Sequence, residues 1–240
     1  MTDKHPQPAF SLETLSEAVR YNRFIVDRMR PSLGRTVLEL GTGIGNLTPL
    51  FLEEAREVTA IDIDPSLIEA HRQRVAPTPA LRVECVSLQE LAGRPSEKGK
   101  YDAVVSSNVL EHIDDSILRD VVGGMHQVLK PGGNAVHWIP AFQAIYGSMD
   151  KAFGHYRRYD KKSASALFEQ AGFRIVECSY WNMAGFFGWW LTGKVLKKQS
   201  VPRSSALTFD RFLMPLVSAM EPLLWRPFGQ SLLIVAKKTT

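Results

Sequence analysis

The sequence predicts an α/β protein built on a mainly parallel sheet, and three observations predict it. Short β-branched runs alternate with helical patterns, a glycine-rich turn joins the first run to the helix after it, and two more strand patterns close the chain. Ser11–Arg30 comes first as an amphipathic helix stopped by Pro31, after a polar, Pro-containing and loose stretch at 1–10. The five runs are Thr36–Leu40, Val58–Ile61, Leu81–Val86, Tyr101–Ser106 and Asn134–Ile139. Helical patterns lie near Leu47–Ala55, Pro65–Val75, Ile117–Leu129 and Ser163–Ala171. Phe173–Tyr180 and Ser231–Ala236 are the closing strands, and no short crossover helix joins them. Residues 181–229 between them are rich in Trp, Phe, Leu, Met and Pro, too apolar to be left solvated, and read as a mostly helical insertion.

The chain has 240 residues, of which 45% are hydrophobic, enough to bury the core of one elaborated domain. We divide it into an N-terminal helical cap at 1–33, a core at 34–180, the insertion at 181–229, and the final strand and tail at 230–240. Two cysteines, Cys85 and Cys178, exclude a disulfide scaffold and a cysteine-based zinc cluster and fit a reducing compartment. The first residues lack the apolar core of a signal peptide, so a cytoplasmic location is expected. The most apolar stretch, 183–193, falls short of the ~20 residues needed to span a bilayer. Net charge is +4, a modest excess, and no nucleic-acid module signature is present, so no nucleic-acid partner is expected. No His, Cys and Asp arrangement has metal-ligand spacing, and no metal is expected.

The strongest local signal is Val37-Leu-Glu-Leu-Gly-Thr-Gly-Ile-Gly-Asn46. A buried strand runs into three glycines at alternate positions, which permit a tight turn and close approach of a ligand to the backbone. Asp62, at the end of the next strand, is placed to accept hydrogen bonds from ribose hydroxyls. The third glycine is Gly45 and position 46 is Asn46, so the loop is not the dinucleotide fingerprint. Glu39, just before the loop, would repel a pyrophosphate and suit a ligand with an ammonium group.

With these residues in place the sequence resembles the class I S-adenosylmethionine-dependent methyltransferases. The resemblance is carried by Val37 to Gly45, by Ala60-Ile-Asp-Ile-Asp-Pro65, by Tyr101-Asp-Ala-Val-Val-Ser-Ser-Asn-Val-Leu-Glu-His112 and by Leu129-Lys-Pro-Gly-Gly133, in the family's order and spacing. It implies a Rossmann-like sheet of seven strands, the last antiparallel and inserted between strands five and six, with helices on both faces and the apolar insertion before the last strand. It also implies S-adenosyl-L-methionine as cofactor. Gly41, Thr42, Gly43, Gly45 and Asn46 would surround its amino-acid end, with Glu39 steadying the loop. Asp62 would hold the ribose, and Ile63 and Leu88 would border the adenine. Asn108 and Val109 would meet the ammonium end, and Tyr21 of the first helix would fold over the methionine. The family often has Gly-Asp after strand three; here Val86-Ser87 stands, so Ser87 can hydrogen-bond but without charge.

Methyl transfer from a sulfonium is an in-line displacement that needs positioning and exclusion of water more than a fixed triad. Residues 140–159, after strand five, lie where α/β sites are built. There His155 is the general-base candidate, with Tyr146 beside it; the alternative is a structural histidine. Arg157 and Arg158 could bind an anionic handle on the acceptor, or be surface charges. His112, Tyr156 and Trp189 complete the expected acceptor wall. The expected reaction is methylation of a small, partly apolar acceptor on oxygen, with nitrogen or carbon as alternatives. An oxidoreductase and a noncatalytic lipid-binding module on the same fold are the other readings. The insertion at 181–229 is expected to roof the acceptor cavity; the alternatives are packing on the sheet and, through Trp and Phe beside Lys194, Lys197 and Lys198, peripheral membrane contact with a lipid-like acceptor.

Overall fold

Strands that read as near-continuous apolar runs belong in a sheet covered on both faces. The computed structural model, which describes residues 12–239, has that sheet. Its strands are β1 (Thr36–Leu40), β2 (Glu57–Asp62), β3 (Leu81–Cys85), β4 (Tyr101–Ser107), β5 (Leu129–Pro140), β6 (Phe173–Trp181) and β7 (Ser231–Lys238). Their order is β3-β2-β1-β4-β5-β7-β6, with β7 antiparallel to both neighbours, as the resemblance implied. The expected loose stretch at 1–10 and the Ser11 start of the first helix lie outside the described residues.

The first helix departs from the expectation. It is two helices, α1 (Leu12–Glu17) and α2 (Val19–Met29), broken at Ala18, whose ψ is 64°. Ala18 has no side chain to cap α2. Instead Asp210 accepts from the backbone N–H of Arg20 (3.4 Å) and of Tyr21 (2.7 Å), filling the donors a helix start leaves open. Strand β5 also starts earlier than expected. Leu129 already pairs with Tyr101, and Pro131 to Gly133 are absorbed in a register shift before Asn134 pairs with Ala103. Gly132 turns the chain there at φ +77°.

The remaining helices are α3 (Thr48–Glu54), α4 (Pro65–Arg74), α5 (Leu88–Ala92), α6 (Asp115–Val128), α7 (Ser148–Ala152) and α8 (Lys161–Glu169), followed by those of the insertion. There α9 (Met183–Trp189) runs on through a π-helical stretch, Trp190–Val195. Then α10 (Arg203–Thr208) runs through a π-helical turn, Phe209–Leu213, into α11 (Met214–Met220). Glu221 accepts from the backbone N–H of Asn182 and Met183 at the start of α9. The insertion is therefore helical as expected.

Alternate strand residues feed two cores. Val37, Trp138 and Val235 pack with Phe24, Met29 and Phe51 of α2 and α3, while Leu38, Ile139 and Ile234 pack with Val122, Met125 and Phe168 of α6 and α8. Phe24 is 2% exposed and meets Trp138 and Trp181 edge-on, each at 5.8 Å between ring centres. Phe24→Ala should therefore cost ~3–5 kcal/mol of unfolding free energy in urea, the usual range for emptying a buried aromatic site. A loss under ~1 kcal/mol would show that α2 does not seal this face of the sheet.

Candidate active site

Three parallel strands, β4, β5 and β6, leave the sheet on the same side through residues in the left-handed region. Asn108 follows β4 at φ 52°, Phe142 follows β5 at 62° and Asn182 follows β6 at 61°. Such conformations cost energy in non-glycine residues and collect at functional sites. Asn108 and Asn182 border a cavity of about 1190 Å³ at the carboxyl ends of the strands. Its walls come from the first helices, the glycine loop, the ends of β2 to β5 and the insertion.

The glycine loop is held by buried side chains. Gly41 and Thr42 donate to the carbonyl of Ile61, at 2.8 and 3.0 Å. Gly41 has φ +68°, and a Cβ there would lie 2.5 Å from Val109 Cγ2. Glu39 accepts from the Thr48 hydroxyl at 2.6 Å, and Thr48 also meets Thr42 and His71 Nε2, each at 2.9 Å. Glu39 thus steadies the loop directly through a side chain. Burial pushes its pKa up to about 7, opposed by the bonds to Thr48 and Thr42. Asp62 Oδ2 accepts from Gly43 N–H at 2.9 Å and Oδ1 from Asp64 N–H at 3.1 Å.

These residues fit the nucleoside end of the implied cofactor. A carboxylate has about four acceptor positions, and two backbone bonds leave Asp62 with acceptor capacity on the cavity wall. Ile63 is 74% exposed beside Val86 and Leu88 on that wall, an apolar shelf open to a flat ring. The Ser87 hydroxyl is committed: it caps α5 and donates to Glu90 Oε2 at 2.8 Å. Tyr21, Thr42, Gly43, Asn46, Asn108 and Val109 also line the cavity, whereas Gly45 turns toward Val75 and His71.

Across from the loop stands a cluster centred on Asp150, which is fully buried. Its Oδ1 accepts from Arg158 Nε at 2.7 Å and lies 3.0 Å from His155 Nδ1. Its Oδ2 accepts from Gly147 N–H at 2.9 Å and Trp189 Nε1 at 3.1 Å. Burial would raise the Asp150 pKa, but the His155 bond and the Arg158 charge outweigh it and hold it below the usual range. With Asp150 ionised, His155 carries its proton on Nδ1, which leaves the Nε2 lone pair free. The nearest acid to Nε2 is Glu111, at 3.9 Å. Glu111 is fully buried, and neither of its oxygens has a hydrogen-bond donor from another residue. Burial pushes its pKa up to about 8. His112, whose ring meets that of His155 edge-on at 4.8 Å, is pushed down to about 4 by burial and by His155. Glu111, His112 and His155 place ligand-capable atoms within 4.8 Å of one another, so these three, where the sequence showed no metal spacing, could hold an ion.

His112, His155, Arg158 and Trp189 therefore lie on one wall of the cavity. Three other candidates do not line it. Tyr146 donates from its hydroxyl to the His155 carbonyl at 2.8 Å, bracing the loop from behind. Arg157 turns toward Asp115 at 3.0 Å, and Tyr156 is 58% exposed with the Arg157 guanidinium over its ring. Arg158 is committed to Asp150 and to the Ala141 carbonyl at 2.9 Å, so its first task is to keep Asp150 charged. Asp150 and Glu111 were missed by the sequence reading. Asp150 carried the signal of an acid in an otherwise aromatic and basic segment, and Glu111 stands directly before His112 in a motif already noted.

A methyltransferase-domain family model matches residues 38–135 of the chain. The ubiquinone biosynthesis O-methyltransferase of Idiomarina loihiensis is 26% identical over 153 residues, covering 58% of this chain and 61% of that protein. A probable S-adenosylmethionine-dependent methyltransferase of Mycolicibacterium smegmatis is 30% identical over 146 residues, covering 60% of this chain and 54% of that one. The chain thus spans little more than half the length of these two curated relatives. Among solved structures, 1,6-didemethyltoxoflavin-N1-methyltransferase of Burkholderia thailandensis, with 1,6-didemethyltoxoflavin and S-adenosylhomocysteine bound, superposes with a TM-score of 0.58. Its identity is 20%, over 93% of this chain and 79% of that one, a likeness of fold.

The state of Glu111 has a measurable consequence. A glutamate of pKa 4.5 in the unfolded chain and about 8 in the fold binds its proton more tightly when folded. Its stabilising effect is then complete below the lower value and is lost as pH rises to the upper one. Glu111→Gln, which imitates the protonated acid, should flatten the fall in melting temperature across that window relative to wild type. An identical pH dependence in the two proteins would mean that Glu111 is already ionised in the fold.

Proposed function

Because the chain belongs to the class I S-adenosylmethionine-dependent methyltransferases, we propose that it methylates a hydroxyl oxygen of a small, partly apolar molecule held in this cavity. When bound, S-adenosylmethionine supplies a methyl group already activated on a sulfonium. The residues of the chain then position the acceptor, exclude water and receive its proton. Asp62 would hold the ribose hydroxyls, and Ile63, Val86 and Leu88 would border the adenine. Gly41, Gly43, Asn108 and Tyr21 would enclose the methionine end.

The observation that carries the choice of oxygen is the Asp150–His155 pair. An imidazole held at Nδ1 by a buried carboxylate, on the cavity wall beside His112 and Trp189 and with Nε2 3.9 Å from Glu111, would take a proton from a hydroxyl through Nε2 as the methyl–oxygen bond forms. Asp150 orients the ring and stabilises the imidazolium that results, and Arg158 keeps Asp150 ionised. The O-methyltransferases among the relatives support the same reading at low identity. Trp189 and Phe153 would offer apolar contact to the acceptor beside His155.

Two measurements test this. Asp62→Ala should weaken S-adenosylhomocysteine binding by ~1–3 kcal/mol in calorimetry, the cost of losing a charged acceptor; unchanged affinity would remove the ribose role. Extracts incubated with methyl-labelled cofactor and read by mass spectrometry should identify the molecule that gains the label. On that molecule His155→Ala should lower turnover by ~10²–10⁴-fold with S-adenosylhomocysteine affinity preserved. Turnover within a few-fold of wild type would show that the acceptor needs no base from His155.

A further inference from the structure

The insertion hides its acids and shows its apolar residues. Between 182 and 229 the only acids are Asp210 and Glu221, and both are buried as acceptors for the starts of α2 and α9. The same segment carries Lys194, Lys197, Lys198, Arg203, Arg211 and Arg226. The segment's own exposed residues thus include cations and no carboxylate; Arg203 is paired with Glu17 of α1, and none of the other five cations is ion-paired with a carboxylate among the described residues. Met214 and Asp210 point inward, so the opposite side of the helical run from Phe209 through α11 faces solvent. That side is apolar: Phe212 is 66% exposed, Leu216 59% and Leu223 86%. Trp225, just beyond, is 85% exposed. The other helical run, α9 and its π-helical continuation, exposes Phe187 (57%) and Trp190 (45%) next to the exposed Lys194, Lys197 and Lys198. Phe228, which follows the second run, packs against Phe187 of the first, with ring centres 5.5 Å apart.

We propose that this outer face docks on an anionic lipid bilayer. Exposed Trp, Phe and Leu with Lys and Arg beside them match the two parts of such a surface, apolar tails below and negative headgroups above. No helix of the described residues is long and apolar enough to cross a membrane, so the contact is peripheral. A second copy of the chain fits the face less well, because a two-fold pairing would set one cationic surface against another. Gly188, Trp189 and Thr192 of the first run, and Ser205, Ala206 and Phe209 of the second, line the cavity from the inner side of the same helices. Docking therefore brings the cavity to the membrane, and with the methyl-transfer reading it makes the acceptor a lipid-soluble molecule. The docking itself does not rest on that reading.

The test uses the full chain with sedimentation of vesicles of phosphatidylcholine alone and of phosphatidylcholine with roughly one-third phosphatidylglycerol. The chain should sediment with the anionic vesicles, with a blue shift of tryptophan fluorescence, and about 0.5 M salt should weaken binding several-fold. Lys197→Glu with Lys198→Glu should lower the partition coefficient about tenfold or more, and Leu223→Ser with Trp225→Ser should do the same. These side chains are exposed, and S-adenosylhomocysteine calorimetry on each variant reports folding and the cofactor site separately. Wild type that stays in the supernatant with anionic vesicles at low salt overturns the proposal. So does binding that survives the Leu223 and Trp225 changes, or a dimer in sedimentation that those changes dissolve.

Discussion

The acceptor side of the cavity depends on one carboxylate remaining charged out of water. Asp150 meets donors from four residues: Gly147, His155, Arg158 and Trp189. Each of those contacts fixes something different. Gly147 starts α7, His155 is held in one tautomer, Arg158 is neutralised inside the protein, and Trp189 ties the insertion to the loop after β5. Burial of a carboxylate alone is unfavourable, and the bonds and the Arg158 charge have to outweigh it. Removing Asp150 would therefore do more than free the imidazole. It would strand the Arg158 guanidinium, whose side chain is 1% exposed, without a counter-charge.

The insertion uses the same device at its other attachments. Asp210 and Glu221 each give a carboxylate to backbone N–H groups at a helix start, where unpaired donors and the helix dipole favour negative charge. Beyond β6, Met214 is its fully buried large apolar side chain and Phe209 and Val217 pack against the same core, and the directional bonds of Asp210 and Glu221 add to that packing. This explains how a segment with so many exposed apolar residues keeps a fixed relation to the sheet. Its polar anchors face inward beside Met214, and most of its large apolar side chains are left outside.

The sheet was legible because its signals are local. Five runs, a glycine turn and a closing pair of strands can be read from neighbouring residues, and the seven strands stand where those runs lie. The glycine loop and its contact with Asp62 were legible for the same reason, since Gly41 to Asn46 and Asp62 sit at the ends of consecutive strands. What was not legible depends on distant partners. The break at Ala18 needs Asp210, which lies 189 positions beyond Tyr21. Arg157 and Arg158 are identical side chains side by side, yet one reaches Asp115 at the surface and the other Asp150 in the interior. Nothing in the local pattern separates them. Ser87 likewise reads as a free hydroxyl until Glu90 closes the cap.

The carboxyl edge of the sheet concentrates acids, with Glu39 after Leu38, Asp62 ending β2, Glu111 after β4 and Asp150 after β5. Buried at one edge of the sheet, they are not all held ionised, and the structure resolves the conflict by unequal provision of donors. Asp150 has four donors, one of them the Arg158 guanidinium, and is held in its charged form. Glu111 has no donor from another residue and is neutral up to a pH of about 8. Glu39, bonded only to hydroxyls, falls between them at about 7. The charge of the site is thus set by which carboxyls have donors, not by how many acids the sequence places there. A positively charged ligand near Glu39 would favour its ionised form, so the least committed acid on the cofactor side is also the one whose proton such a ligand can displace.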